Sequence, residues 1–402
     1  MSTTRGAPLI SRGVPRHKER FVKASAMGIS ESIAGPPADQ TAPRAALEAA
    51  NMIPGWYGLA GEAHIQRTDS GQSQCVFKLT CPKKPGEVYS IRLLRPDDHR
   101  LIAFSRTLAE AGLTPQVVAA SNTAIVQNWI DGVPPTAFRW RSRKAVDNLA
   151  RFMGRLHKVP CDSDDQPRRG GAAGRGGATG RVKTSFSDAI GGDSELHDKC
   201  RRLGIDLDAE TSKMDRDLGK HLRKDMVLTH GDMHSGNLLE RKGRVWAVDL
   251  EAVGPRPREC DLASLFMSLS GEHVFQRYPS VSTRRRFARR YLQECGLPCE
   301  SGDVDDLLFG VELHWPKEML QSSSTKLMTG RGSGSVSDNM LACLPSARVA
   351  LVKSLSCPET RSQVMHEGVV AVARELHAHS SHHHSGMRIK KQKTSGWGGP
   401  RI

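Results

Sequence analysis

The stretch Thr229-His230-Gly231-Asp232-Met233-His234-Ser235-Gly236-Asn237-Leu238-Leu239, followed by Val248-Asp249-Leu250-Glu251, constrains this chain more than any other. An acid sits on a polar turn and an amide lies five positions further on. A second acid closes the short apolar run Val245-Trp246-Ala247-Val248, which reads as a strand. A polar turn with Asx caps is the plain structural alternative. The fixed spacing of three oxygen-bearing side chains, Asp232, Asn237 and Asp249, argues instead for phosphoryl-transfer chemistry. That chemistry needs one carboxylate to accept or orient the proton of the acceptor hydroxyl. It also needs an amide oxygen and a second carboxylate to hold Mg²⁺ against the phosphates of ATP. Mg²⁺ prefers hard oxygen ligands and few protein groups, so an Asn/Asp pair completed by water and phosphate suits it.

The pattern His230, Gly231, Asp232, His234 and Asn237 resembles the catalytic loop of the aminoglycoside phosphotransferase and choline/ethanolamine kinase superfamily. The later register of Asp249, Glu251, Arg258 and Asp261 is similar to that of its choline-kinase-like members. The resemblance spans roughly residues 55–320 and implies an α+β, bilobal protein-kinase-like fold, with a small antiparallel β N-lobe and a mainly helical C-lobe. It implies Asp232 as general base, Asn237 and Asp249 as ligands of Mg²⁺, His230 as the residue fixing the loop, and His234 lining the acceptor side. Asp261 is expected to buttress the loop and to cap the helix it begins. Glu251 is left between a metal-bound water, a cationic acceptor and a simple pair with Arg258.

Composition bounds the rest. The chain has 402 residues, enough for two lobes with real cores. It carries 58 basic against 43 acidic residues, a formal surplus of +15. No run of about eighteen apolar residues predicts a membrane span. The nine cysteines are scattered and odd in number, which reads as reduced intracellular thiols. Residues 1–50, rich in Ser, Thr, Pro, Ala and Arg, read as a basic flexible arm. The basic first 25 residues are compatible with an organelle transit peptide, although Pro8 and Pro15 break any amphipathic helix there; a cytoplasmic protein with a plain tail is the simpler reading.

Residues 51–131 read as the β-rich, nucleotide-binding lobe, with strands at 64–67, 74–79, 88–93 and 123–130. Gly58 and Gly61 offer a turn whose backbone could approach phosphates. Arg92 sits where the related kinases place a cation for the α/β-phosphates. The family also expects an acid in the next helix, at 98–111, and the candidates Asp97, Asp98 and Glu110 all lie off register. Chain order puts the adenine-binding hinge at Gln127, Asn128 and Trp129.

Residues 132–378 read as the C-lobe. An amphipathic helix over 141–160 ends in Leu156-His157, with His157 buried, and a Gly/Arg-rich insertion covers 161–185. Residues 254–261 read as a rigid link, and the arginines of 284–290 as a solvated helix face. A helix over 307–321 carries Trp315 and Glu318 near the place where choline kinases bind the acceptor's ammonium group. A Ser/Gly-rich loop follows at 322–337, then a last helix at 363–377 and a basic tail at 379–402. The expected partner is a small-molecule hydroxyl acceptor, an amino alcohol of the choline/ethanolamine type or an aminoglycoside-like or sugar alcohol. Two alternatives stay open: a catalytically weak scaffold, from the missing helix acid, and a basic RNA-associated protein, from the Gly/Arg insertion and tail. No aromatic residues interleave the insertion to stack bases, which argues against a dedicated nucleic-acid role.

Overall fold

The computed structural model describes residues 41–68, 76–95, 98–135, 141–161, 186–187, 194–222, 225–268, 279–329 and 345, 348 and 349. The first 40 residues, the insertion over 162–185, the helix expected at 363–377 and the tail over 379–402 lie outside them.

Helix α1 (Thr41–Ala50) moves the boundary of the expected arm back from residue 50. Its alanines at 42, 45, 46, 49 and 50 follow the helical period, and alanine is the best helix former. Small side chains give little hydropathic signal, which is why the segment reads as low-complexity. Ala46 and Ala50, with Ile53 and Trp56 beyond them, pack into one core with Phe77, Leu79, Ile91 and Val126.

That core covers one face of an antiparallel sheet. Its strands are β1 (His64–Arg67), β2 (Val76–Thr80), β3 (Val88–Leu93), β4 (Val117–Ala120) and β5 (Ala124–Asn128), in the order β1-β2-β3-β5-β4. Strand β4 escapes the sequence reading because Val117-Val118-Ala119-Ala120 shows no alternation, and a register shift interrupts its pairing. Side chains alternate across a strand, so Ala124 and Val126 face α1 while Ile125 joins the second, larger core. Arg92 is the cross-strand partner of Ile125, and therefore shares the face turned toward the helical region.

Helix α2 (His99–Glu110) separates β3 from β4. Beyond the sheet come α3 (Arg143–Lys158), α4 (Ser194–Arg202) and α5 (Leu207–Asp217). Next are strands β6 (Met226–Thr229), β7 (Leu238–Arg241), β8 (Arg244–Ala247) and β9 (Gly254–Pro257), then α6 (Arg258–Ser268), α7 (Val281–Cys295) and α8 (Ser301–Thr329). Strands β7 and β8 form a hairpin, and β6 pairs with β9.

Three elements differ from expectation. The supposed rigid link contains β9, whose Pro255 and Pro257 lie opposite Leu228 and Met226; a two-stranded ribbon has an unpaired edge, where proline is tolerated. Helix α8 runs through Pro316 to Thr329, past the loop expected from 322, because serines lower helix propensity without breaking it. Of the α7 arginines Arg284 alone is buried, yet three of them meet acids of neighbouring helices. Arg284 is buried and pairs with Glu312, Arg285 bonds Asp305 through Nε at 3.0 Å, and Arg286 reaches Asp147 at 2.6 Å. These three tie α7 to α8 and α3, while Arg286 and Arg289 keep the expected exposed place. Gly154 completes that seam: a Cβ there would lie 2.6 Å from Cβ of Glu294, so α3 and α7 approach closely only over glycine.

Candidate active site

The loop between β6 and β7 alternates what it buries. Met233 goes into the core, while Asp232 and His234 on either side face outward. Gly231 has φ +80°, and a Cβ on it would meet the carbonyl oxygen of Ala252 at 2.1 Å, so only glycine fits. The loop is held from beneath by Asp261, which is 1 % exposed. Its carboxylate accepts the backbone N–H of His230 at 2.7 Å and of Gly231 at 2.9 Å. Nε2 of His157 lies 3.3 Å from the same carboxylate, and its Nδ1 is 2.7 Å from the hydroxyl of Tyr291. Burial alone would raise the Asp261 carboxyl; the hydrogen bond and charge of His157, the neighbouring His230 and the Gly231 amide outweigh it and hold the group below its ordinary value.

Asp261 thus buttresses the loop, but it does so from within α6, which begins three residues earlier at Arg258; the capping role expected of it is not what its oxygens do. His157 is buried at the helix end, as its place on the α3 stripe suggested. Tyr291 and Arg256, whose Nη1 donates to the Gly231 carbonyl at 3.0 Å, also support the loop and escaped the sequence reading. No motif marks either; only their distance in space from the loop could have.

His230 is fully buried. Its Nε2 donates to the Val248 carbonyl at 2.9 Å, and its Nδ1 accepts the Asp232 amide at 3.4 Å. The imidazole therefore ties the loop to the strand end that leads into Asp249. Asn237 turns Nδ2 toward Asp232, donating to its carbonyl at 2.9 Å and to Oδ2 at 3.3 Å. The backbone carbonyl of Asn237 accepts the Val248 N–H at 2.9 Å, which brings the two segments side by side. His234 accepts the Gly236 amide on Nδ1 at 3.1 Å, so in its neutral form the proton sits on Nε2, 3.5 Å from Asp232 Oδ2. Desolvation pushes the Asp232 carboxyl up, but the hydrogen bond and charge of His234, the nearby His230 and the Asn237 amide prevail and keep it below its ordinary value.

Asp249 adopts the left-handed region, φ 62° and ψ 66°, which aspartate tolerates better than most residues. Its Oδ1 accepts from Arg92 Nη2 at 3.0 Å. The same Nη2 bonds Glu251, so the sheet's cation meets two carboxylates of the helical region, and Glu251 pairs with Arg92 rather than with Arg258. Arg92 is 11 % exposed in its side chain.

The donor chemistry fits a small hard dication. Asn237 spends its amide nitrogen on Asp232 and keeps Oδ1, and Asp249 keeps Oδ2. These oxygens belong to segments that the Val248–Asn237 hydrogen bond joins.

Other expected site residues fall elsewhere. Gly58 and Gly61 precede β1, in the link from α1, and a Cβ on either would meet nothing within 4 Å; Gly58 answers to its φ of +76°. The turn that joins β1 to β2 covers residues 69–75, which lie outside the described ones. The N–H groups of Asn128 and Trp129 donate to Gln116 and Val88 carbonyls, and the Gln127 side chain to Pro115. The hinge amides named from sequence are therefore spent within the sheet. Trp129 lies under Lys78, whose Nζ is 4.8 Å from the ring centroid. Trp315 is 3 % exposed, too little for the wall of an open cation cage, and the Glu318 side chain lies outside the described residues.

A family profile described as Choline/ethanolamine kinase matches residues 65–327. Among solved structures, the chain resembles an ethanolamine kinase of Plasmodium vivax at 15 % identity and TM-score 0.61, covering 78 % of this chain and 89 % of that one. It also resembles a choline kinase of Cryptosporidium parvum at 15 % identity and TM-score 0.60, covering 77 % and 96 %. A search of curated proteins finds no significant match. These likenesses bear out the kinase-like fold, with its antiparallel sheet leading into a mainly helical region. Among the described residues no helix is long and apolar enough to cross a membrane. The profile covers well over half of the chain and contains the whole Asp232–Asn237–Asp249 constellation, so this protein belongs to the choline/ethanolamine kinase family of small-molecule kinases.

Proposed function

We infer that the protein transfers the γ-phosphate of ATP, with Mg²⁺, to the hydroxyl of an amino alcohol of the choline/ethanolamine type. The observation that carries this reading is the meeting of Arg92 with Asp249 and of Asn237 with Asp232 by hydrogen bonds, on segments joined through the Val248–Asn237 backbone bond, within one family-matched region. Asp232 accepts or orients the acceptor hydroxyl's proton; its carboxyl, held below the ordinary value, stays ionised at neutral pH, and His234 orients it. Asn237 Oδ1 and Asp249 hold the metal, which when bound neutralises phosphate charge. Arg92 contacts the phosphates, and His230 keeps the loop and the Asp249 segment in register.

The RNA-associated alternative rests on the Gly/Arg-rich insertion and the basic tail, which lie outside the described residues. A panel of choline, ethanolamine, sugars and aminoglycosides with Mg·ATP tests the acceptor. An amino alcohol should be phosphorylated best, and Asp232→Asn should lower turnover by about a thousandfold or more. Turnover of every acceptor undiminished by Asp232→Asn would remove that residue from its role.

A further inference from the structure

Among the described residues, helix α2 and its first turn bring no acid to Arg92. Asp98, at its start, accepts the backbone N–H of Arg95 at 2.9 Å, and Glu110 lies exposed at its far end. Two carboxylates beside Arg92 come from the turn after β8, where Asp249 and Glu251 share one guanidinium nitrogen. If Asp249 holds a metal, it cannot also be the lasting counter-charge of that guanidinium. Glu251 can. The 3-10 turn Leu250–Ala252 that carries it is pinned by buried Leu250 and closed by the Val253 N–H on the Leu250 carbonyl. Helix α2 packs against this same turn, so the acid reaches Arg92 from the element the helix leans on. Glu251 is 45 % exposed in its side chain while Arg92 is nearly buried, so water still solvates the acid and the pair avoids the full cost of a dry ion pair.

We propose that Glu251 is the positioning residue for Arg92, holding its guanidinium in place for the nucleotide phosphates when Asp249 is engaged elsewhere. This deepens the phosphotransferase reading and rests on it. An aligned, charge-assisted pair restricts a long side chain that would otherwise sample many rotamers. Removing Glu251 has two opposite effects on an incoming polyanion: Arg92 loses its placement, and a repelling carboxylate disappears. A double-mutant cycle separates them.

The measurement is ATP affinity by titration calorimetry with Mg²⁺ present and no acceptor, so that Asp249 is drawn away from Arg92, for the full chain and for Glu251→Gln, Arg92→Gln and the double variant. In the presence of Arg92, Glu251→Gln should weaken ATP binding on the order of tenfold. In the Arg92→Gln background it should leave affinity unchanged or tighten it, because only the repulsion remains. Glu251→Asp, which keeps the charge on a shorter stem, should recover part of the loss and guards against a folding defect in the first variant. Equal effects in both backgrounds would overturn the proposal. So would unchanged ATP affinity with a raised acceptor KM, which would turn Glu251 toward the acceptor. Absence of ATP binding by the unaltered chain, with or without Mg²⁺, would instead sink the phosphotransferase reading beneath it.

Discussion

His234 and Asp232 are two residues apart on a turn, yet their chemistry depends on a backbone amide. Because the Gly236 N–H occupies Nδ1, the imidazole keeps its Nε2 face for Asp232 and so helps hold that carboxyl below its ordinary value. His234→Ala removes the largest favourable influence on it and lets desolvation act with less opposition. The acidic limb of the kcat/KM profile should therefore move to higher pH; a profile unmoved by the substitution would show that His234 does not set the ionisation of the base. The oxygen-bearing trio was legible in the sequence because its spacing is local. The partner of Arg92 was not, since Arg92 and Glu251 stand 159 positions apart and only the fold joins them.

Strands and helices carry the next level. The turn between β6 and β7 is rigid because α6 lends it a buried carboxylate, backed in turn by α3 through His157 and by α7 through Tyr291. Asp261→Asn keeps the shape but sets an amide NH₂ against N–H donors, and should cost about 3 kcal/mol in denaturant unfolding at neutral pH. The sign of its pH dependence follows from the lowered value of its carboxyl. A carboxyl whose value is lowered on folding adds stability that is fully present above its unfolded value and lost as pH falls through the folded one. The gap between the original chain and Asp261→Asn should accordingly narrow in acid, and a gap independent of pH would contradict the charge argument. At this scale the sequence spoke unevenly. The α3 stripe and the strands β1 to β3 were clear, whereas α1 hid behind alanines and β9 behind its prolines. Arg284 of α7 misled because periodicity reports which residues share a face, and not which acid, here Glu312, waits opposite.

For the molecule as a whole, the proposed site draws on both parts: Arg92 from the sheet, the rest from the helical region. A ligand touching both should stabilise them together. At Mg·ATP concentrations about a hundred times Kd, the linkage gain is about 2.7 kcal/mol, enough to raise Tm by several degrees. A melt that ignores millimolar Mg·ATP would favour a non-catalytic scaffold. The ends of the chain, where much of the surplus of +15 was expected to lie, fall outside the described residues, and the family match accounts for 65–327 without them. The bridge from Arg92 to Glu251 has one more outcome, for ionic strength. Added salt screens the pull between Arg92 and the incoming phosphates, but it equally slackens the resting latch that ATP must rearrange. These slopes oppose each other, so nucleotide affinity should fall more gently with salt than so cationic a protein would suggest.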